Sequence, residues 1–314
     1  MSASAVRSSE DQLTIQSTPN PQMYQSGGAT YPPYYHTSPS LTSIFMTSMA
    51  ASMMTNWLLA VRLKTLPASI SPVILGSALA FHDGSFFLFI CAMTLLAAVL
   101  IQIGTNFAND VFDFQKGTDR QDRKGPIRAT QAGLISEENM KKAMWQTFAL
   151  AICVGIYLAL IGGWPIVIIG LASIVAGIAY TGGPYPLGYH GLGDVFVFIF
   201  FGIIAVPGTY YLQTDTINSL SIWMGIVMGM LSNAILVVNN LRDADTDKLS
   251  GKKTLAVRFG KKFSRVQYSI LVLIPFLLPI YLWWTLENEL SLLIPIFAIP
   301  ISFNLIYQIF LFSG

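Results

Sequence analysis

The chain has 314 residues, 53% of them hydrophobic and only 11% charged, with 18 Lys and Arg against 16 Asp and Glu. Soluble domains carry about a quarter charged residues, so this composition excludes an ordinary soluble domain and indicates a membrane protein. The formal net charge of +2 gives no reason to expect nucleic acid, and Cys91, Cys153 and three scattered histidines form neither a disulfide framework nor a thiolate or imidazole metal site.

Residues 1–54 are rich in Ser, Thr, Pro, Tyr and Gly ("STPNPQMYQSGGATYPPYYHTSPS") and cannot bury a core, so they are expected to form a disordered extension ahead of a membrane domain at 55–314. The stretch lacks the compact apolar core of a secretory signal. Apolar runs long enough to cross about 30 Å of hydrocarbon follow at 66–82, 86–111, 143–161, 164–181, 193–212, 220–241, 266–284 and 290–312. These predict an all-α, polytopic bundle of about eight transmembrane helices.

Connections near 83–85, 162–163, 213–219 and 285–289 contain no Lys or Arg, whereas those at 112–142 and 242–265 are long and basic. Arg7, Arg62 and Lys64 precede the first span, seven basic residues lie in 112–142 and eight in 242–265, which accounts for all 18. With both ends inside, every basic residue falls on the cytoplasmic side, as the positive-inside rule requires.

Two of the apolar runs end in acids, in "NFANDVFDFQKGTDRQDRKGP" from Asn106 and "SNAILVVNNLRDADTDKLSGKKT" from Ser232. Each closes the second span of a four-span half, which suggests two parallel repeats around a central cavity with both motifs on one face. At 100° per residue, Asn106, Asn109, Asp110 and Asp113 fall within an arc of about 100°, as do Asn239, Asn240, Asp243 and Asp247, with Asp245 pointing away. A lone carboxylate there would read as a helix end meeting water. Two clusters at two helix C-termini, where the dipole disfavours acids, call for compensating positive charge.

Carboxylates with Asn amides are hard oxygen donors that suit Mg²⁺ or Ca²⁺ rather than zinc or copper. Mg²⁺ completes its shell with water and substrate phosphates. Lys116 and Arg128 follow the first cluster, and Arg242, Lys252 and Lys253 the second, as a polyphosphate site needs. Apolar helices beneath such a site imply a lipid diphosphate. Neither cluster contains a nucleophile, so the diphosphate is expected to serve as leaving group, with an allylic cation passing to an electron-rich acceptor.

"NFANDVFDFQKGTDRQDRKGPIRATQAGLIS" and "NNLRDADTDKLSGKKTLAVRFG" resemble the two aspartate motifs of UbiA-type intramembrane prenyltransferases. "NWLLAVRLKTLPASISPVILGSALA" and "YTGGPYPLGYHGLGDVFVFIFFGIIAVPGTYYLQT" are similar to the branch that prenylates 1,4-dihydroxy-2-naphthoate in menaquinone biosynthesis. The likeness runs from Met54 to the C-terminus.

It implies that Asp110, Asp113, Asp119, Asp243 and Asp247 hold Mg²⁺, and that Asn106, Asn109, Asn240, Lys116, Arg128, Arg242 and Lys252 bind the polyprenyl diphosphate. Tyr180 would line the aromatic or cation pocket; its ordinary reading is an interfacial belt tyrosine. The implied product is demethylmenaquinone, formed with loss of CO₂ and diphosphate, and the implied location is the plasma (cell inner) membrane.

The chain departs from the family in two places. The hydroxybenzoate branch shows a Lys-Arg pair after the fourth-helix tyrosine, where this chain reads "YPLGYHGLGD", and the family usually has nine spans. Transfer to homogentisate, 4-hydroxybenzoate, a chlorophyllide or haem stands as the nearest alternative. A divalent-cation transporter or a non-catalytic scaffold for quinone synthesis stands further off. A transporter would place acids near the midplane or on both faces, yet the outer loops hold only Asp83, Asp215, Glu287 and Glu289.

Overall fold

The structure is a computed structural model, and it describes residues 52–118, 125–285 and 290–311. The extension expected at 1–54 lies outside the described residues up to 51, and the chain is already helical from Ser52. Asp119 and Asp122 also lie outside them.

Seven helices among the described residues are long and apolar enough to cross a membrane: α1 (Ser52–His82), α2 (Leu88–Gln115), α3 (Glu137–Ala179), α4 (Gly193–Thr214), α5 (Ser219–Leu249), α6 (Leu255–Thr285) and α7 (Leu293–Leu311). No strand occurs among the described residues.

The difference from eight expected spans lies in α3. Its 43 residues would extend about 65 Å as one rod, twice the hydrocarbon thickness. The helix breaks at Gly163 (φ 66°, ψ −156°), two residues before Pro165. Phe148, 15 residues ahead of the break, packs on Gly104 of α2, while Gly177, 14 residues beyond it, packs on the adjacent Thr105. Both limbs therefore meet α2 at one level, which makes α3 a hairpin of two passes. The described residues therefore supply eight membrane-length passes, with the turn in "GGWP" where glycine supplies the positive φ.

α1 also breaks: Arg62 is left-handed (φ 55°, ψ 63°) and is followed by a 3-10 turn, Leu63–Thr65. In α4 a π-helical turn, Ile199–Ile204, presents Gly202 to Gly225 and Gly229 of α5 so closely that a Cβ on Gly202 would collide with their backbone. Small residues let two membrane helices touch backbone to backbone in this way.

One core cluster gathers Phe107, Val111, Met140, Met144 and Phe148 under the end of α2, and another joins Val237 and Leu241 of α5 to Tyr268, Val272 and Ile309. At the opposite end of the bundle, Tyr210 Oη donates to Asp83 at 2.6 Å and the Gln213 carboxamide oxygen accepts from Phe87 N–H at 2.7 Å, which ties the α1–α2 turn to α4.

Candidate active site

The ends of α2 and α5 lie together. Lys252 Nζ stands 3.5 Å from Asp113 Oδ1 and 3.9 Å from Asp247 Oδ1, so one ammonium bridges the first acidic motif to the second. The following loops interlock as well: Ser250 Oγ donates to Thr118 O at 3.3 Å and Lys253 N–H to Tyr189 O at 2.8 Å.

Asp113 is the centre of this arrangement. Its side chain is 1% exposed and pairs with Arg128, itself 8% exposed, at 3.0 Å. Tyr189 Oη donates to its other oxygen at 2.6 Å, and Thr118 Oγ1 lies 2.7 Å from that hydroxyl. The Tyr189 ring lies beneath two ammonium groups, Lys116 Nζ at 4.8 Å and Lys252 Nζ at 4.7 Å from its centroid. Burial pushes the Lys116 ammonium below the usual lysine range; Asp113 opposes that shift and Lys252 adds to it.

Asp110 is engaged differently. Its two oxygens accept from the backbone N–H groups of Ala129 (3.2 Å) and Thr130 (3.4 Å), and the Arg62 charge acts on it. It therefore pins the loop that carries Arg128. Asn106 is turned away from the acids: its Nδ2 donates to Val61 O at 2.8 Å and to Thr65 Oγ1 at 2.9 Å, fixing the break in α1 against α2. Asn109 Oδ1 accepts from Thr181 Oγ1 at 2.8 Å. Arg242 forks onto Asp243 at 2.8 Å through both Nε and Nη2. Asn240 is half-buried on α5 one turn before Asp243, and Asp245 points out to Lys261.

Below the polar cluster lies an apolar cavity of about 330 Å³, walled by α1–α4 through Val73, Ile101, Thr105, Gly177, Phe200 and Leu212. Tyr180 belongs to its lining and sits at the polar end, where Gly188 N–H donates to its carbonyl at 2.9 Å. An apolar compartment lined at one end by a tyrosine, beneath paired acids and cations, is suited to hold a hydrocarbon tail under a charged head.

The donor set fits a hard divalent cation, because every candidate ligand is a carboxylate or amide oxygen. Among the described residues no three acidic or imidazole groups converge. Mg²⁺ typically takes one or two carboxylates and completes its shell with water and phosphate oxygen, so no preassembled cluster of three is needed.

Residues 69–314 match the UbiA prenyltransferase family. The chain belongs to this family. It is 39% identical over 234 residues, 73% of this chain and 76% of the relative, to the 1,4-dihydroxy-2-naphthoate octaprenyltransferase of Escherichia coli. It is 37% identical to the enzyme of the same name from Mycobacterium tuberculosis, over 68% of this chain and 72% of the relative. A UbiA homologue from Archaeoglobus fulgidus solved with DMAPP and Mg²⁺ shares the fold at a TM-score of 0.61 and 16% identity, covering 82% of this chain and 88% of that one.

The charge pattern of this UbiA protein pointed to Asp113, Asp247, Arg128 and Lys252, and the fold brings these four together. Tyr189, Thr118 and Thr181 were not singled out. Tyr189 lies in a Gly- and Pro-rich loop, "YPLGYHGLGD", after the third-helix hairpin. An aromatic set among turn residues between two spans is the available signal, but nothing local says that it packs beneath lysines from two other loops.

Proposed function

We propose that the protein transfers a polyprenyl group from polyprenyl diphosphate to 1,4-dihydroxy-2-naphthoate in a Mg²⁺-dependent reaction. The products are the quinol form of demethylmenaquinone, CO₂ and diphosphate. The observation that carries this reading is the Lys252 bridge between Asp113 and Asp247, directly above an apolar cavity ending at Tyr180. The naphthoate is supported by the names of the relatives at 37–39% identity.

Asp113 and Asp247, which share Lys252, would hold Mg²⁺ together with water and phosphate oxygen, with Asp243 one turn before Asp247 on α5, Asn109 and Asn240 as amide donors and Asp119 outside the described residues. Bound there, Mg²⁺ would supply positive charge against the departing diphosphate oxygen. Arg128, Lys116, Lys252 and Arg242 add fixed cations around the same group, so charge developing on it meets preorganised partners. Asp110 acts from behind by holding the 128–130 loop in place, and Asn106 by fixing α1 against α2. The cavity keeps water from an allylic cation, and Tyr180 presents its ring and hydroxyl at the cavity mouth.

The protein is an integral multi-pass membrane protein. We place the acidic ends on the cytoplasmic face of the plasma membrane, because all basic loops lie on that side. Membranes containing the chain, given labelled polyprenyl diphosphate and Mg²⁺ with each acceptor in turn, test the reading. Label should enter a naphthoquinol product. Product with homogentisate, 4-hydroxybenzoate, a chlorophyllide or haem, and none with the naphthoate, would overturn the acceptor assignment.

A further inference from the structure

Four hydroxyl groups in the lining of the apolar cavity turn back onto their own helices: Ser69, Thr94, Ser173 and Thr209 donate to the carbonyls of Leu66, Ile90, Ile169 and Ala205 at 2.7–2.9 Å. Each has thereby used its one proton. Gln102 of α2 is different. Among the described residues that line this cavity it carries the one carboxamide, and an amide set in an apolar wall within the membrane is costly unless its polar atoms find partners.

The orientation of that carboxamide follows from its neighbours. Asn106 donates through Nδ2 to Val61 O at 2.8 Å and to Thr65 Oγ1 at 2.9 Å. A main-chain carbonyl can only accept, and the Thr65 hydroxyl already gives its proton to Arg62 O at 2.9 Å. The Asn106 NH₂ is therefore committed to α1, and its oxygen faces Gln102. Of the two ends of the Gln102 carboxamide only the NH₂ can satisfy that oxygen, as it does at 3.3 Å. The Gln102 oxygen remains, on a side chain that lines the cavity, and no hydrogen bond reaches it among the described residues.

A hydrocarbon tail has no donor to give this oxygen, whereas a hydroxylated aromatic acceptor has. Gln102 and Asp113 are eleven residues apart on α2, about 16 Å along its axis. The Gln102 amide leans toward Asn106, which shortens that interval to the scale of a diphosphate and a bicyclic ring laid end to end. We propose that Gln102 is a specificity-determining residue of the acceptor site: its carboxamide oxygen accepts a hydrogen bond from the ring hydroxyl farthest from the acceptor's carboxylate, while that carboxylate faces the cations at the polar end. The inference rests on the prenyl transfer proposed above and states how its acceptor is recognised. A few placed polar groups in an otherwise apolar pocket fix a ligand's orientation in this way.

The test measures equilibrium binding of two acceptors to the full purified chain with Mg²⁺ and an unreactive prenyl thiolodiphosphate: 1,4-dihydroxy-2-naphthoate, kept reduced, and 1-hydroxy-2-naphthoate, which lacks the 4-hydroxyl. Wild type should bind the dihydroxy compound more tightly by on the order of tenfold, the contribution of one hydrogen bond. Gln102→Leu, which has no acceptor to offer, should bring the two affinities together by weakening the dihydroxy compound alone. Unchanged discrimination, or the equal weakening of both compounds that a purely structural role through Asn106 would give, would overturn the inference.

Wild type supplies the measurement if Gln102→Leu does not fold. The 4-amino analogue, which can donate, should bind nearly as tightly as the 4-hydroxyl compound, and the 4-methoxy analogue, which can only accept, no more tightly than the compound lacking the group. A methoxy compound that binds as tightly as the hydroxyl compound would overturn the inference. A wild-type chain that binds no naphthoate would instead refute the proposed acceptor, and the same hydroxyl comparison on the aromatic acid it does bind would still decide the role of Gln102.

Discussion

Asp110 and Asp113 are three residues apart in one motif, yet their surroundings predict opposite consequences of substitution. In Asp110→Asn, one carboxylate oxygen becomes an NH₂ facing a backbone N–H, either that of Ala129 (3.2 Å) or that of Thr130 (3.4 Å). A hydrogen bond to a charged group contributes about 1.5–3 kcal/mol, and a buried donor left unsatisfied costs about 1–3 kcal/mol. The sum is a destabilisation of roughly 2.5–6 kcal/mol centred on the 128–130 loop, since both partners are buried.

Asp113→Asn keeps an oxygen for Tyr189 or Arg128 and removes a charge that Arg128 and Lys252 share, so it should cost less stability and far more chemistry. Thermal unfolding in detergent, together with single-turnover transfer, separates the two. Asp110→Asn should unfold well below Asp113→Asn, and both should lose activity, Asp113→Asn by two or more orders of magnitude. If Asp110→Asn unfolds with wild type but fails to bind Mg²⁺, the assignment of Asp110 as a loop anchor is refuted.

Tyr189→Phe retains the ring beneath Lys116 and Lys252 but loses the bond to Asp113; kcat should fall about tenfold, corresponding to roughly 1–1.5 kcal/mol, and Tyr189→Leu should fall further, as steady-state rates in lipid will show. Gly202→Val drives a side chain into the backbone of Gly225 and Gly229 and should abolish recovery of folded protein, read by size-exclusion after extraction.

At the opposite end, the Tyr210 hydroxyl, and then His82, hold the Asp83 carboxyl below the usual carboxylate range. A group with a depressed folded pKa contributes stability above its unfolded pKa and loses it as pH falls through the folded value. Asp83→Asn should therefore be modestly less stable than wild type at pH 7, with the gap narrowing as pH falls below about 4; a gap that widens on acidification would contradict the reading.

Much of the architecture was legible because membrane crossing constrains sequence so strongly. Apolar runs of about 17 residues or more gave the eight passes found among the described residues, including the two that one broken helix supplies around Gly163. The pairing of acidic helix ends was legible too, because carboxylates at two helix C-termini demand cations, and Lys252 and Arg128 supply them. Helical angle alone misled for Asn106. It shares an arc with Asp113, but the left-handed break at Arg62, which no periodicity announces, brings Val61 and Thr65 within reach of its amide. Asp110 illustrates the same limit, since only the path of the 128–130 loop shows what its oxygens face. Tyr189 depends on contacts between segments more than 60 residues apart, for which local pattern carries no information.

The account depends on Asp113 and Asp247 serving one centre. The most direct measurement is Mg²⁺-dependent binding of a prenyl thiolodiphosphate, which cannot react, to wild type, Asp113→Asn, Asp247→Asn and the double variant. A shared centre predicts that each single variant loses most of the Mg²⁺-dependent affinity and that the double variant loses little more. Independent, additive losses would mean that two separate sites bind the ligand, and would contradict the account.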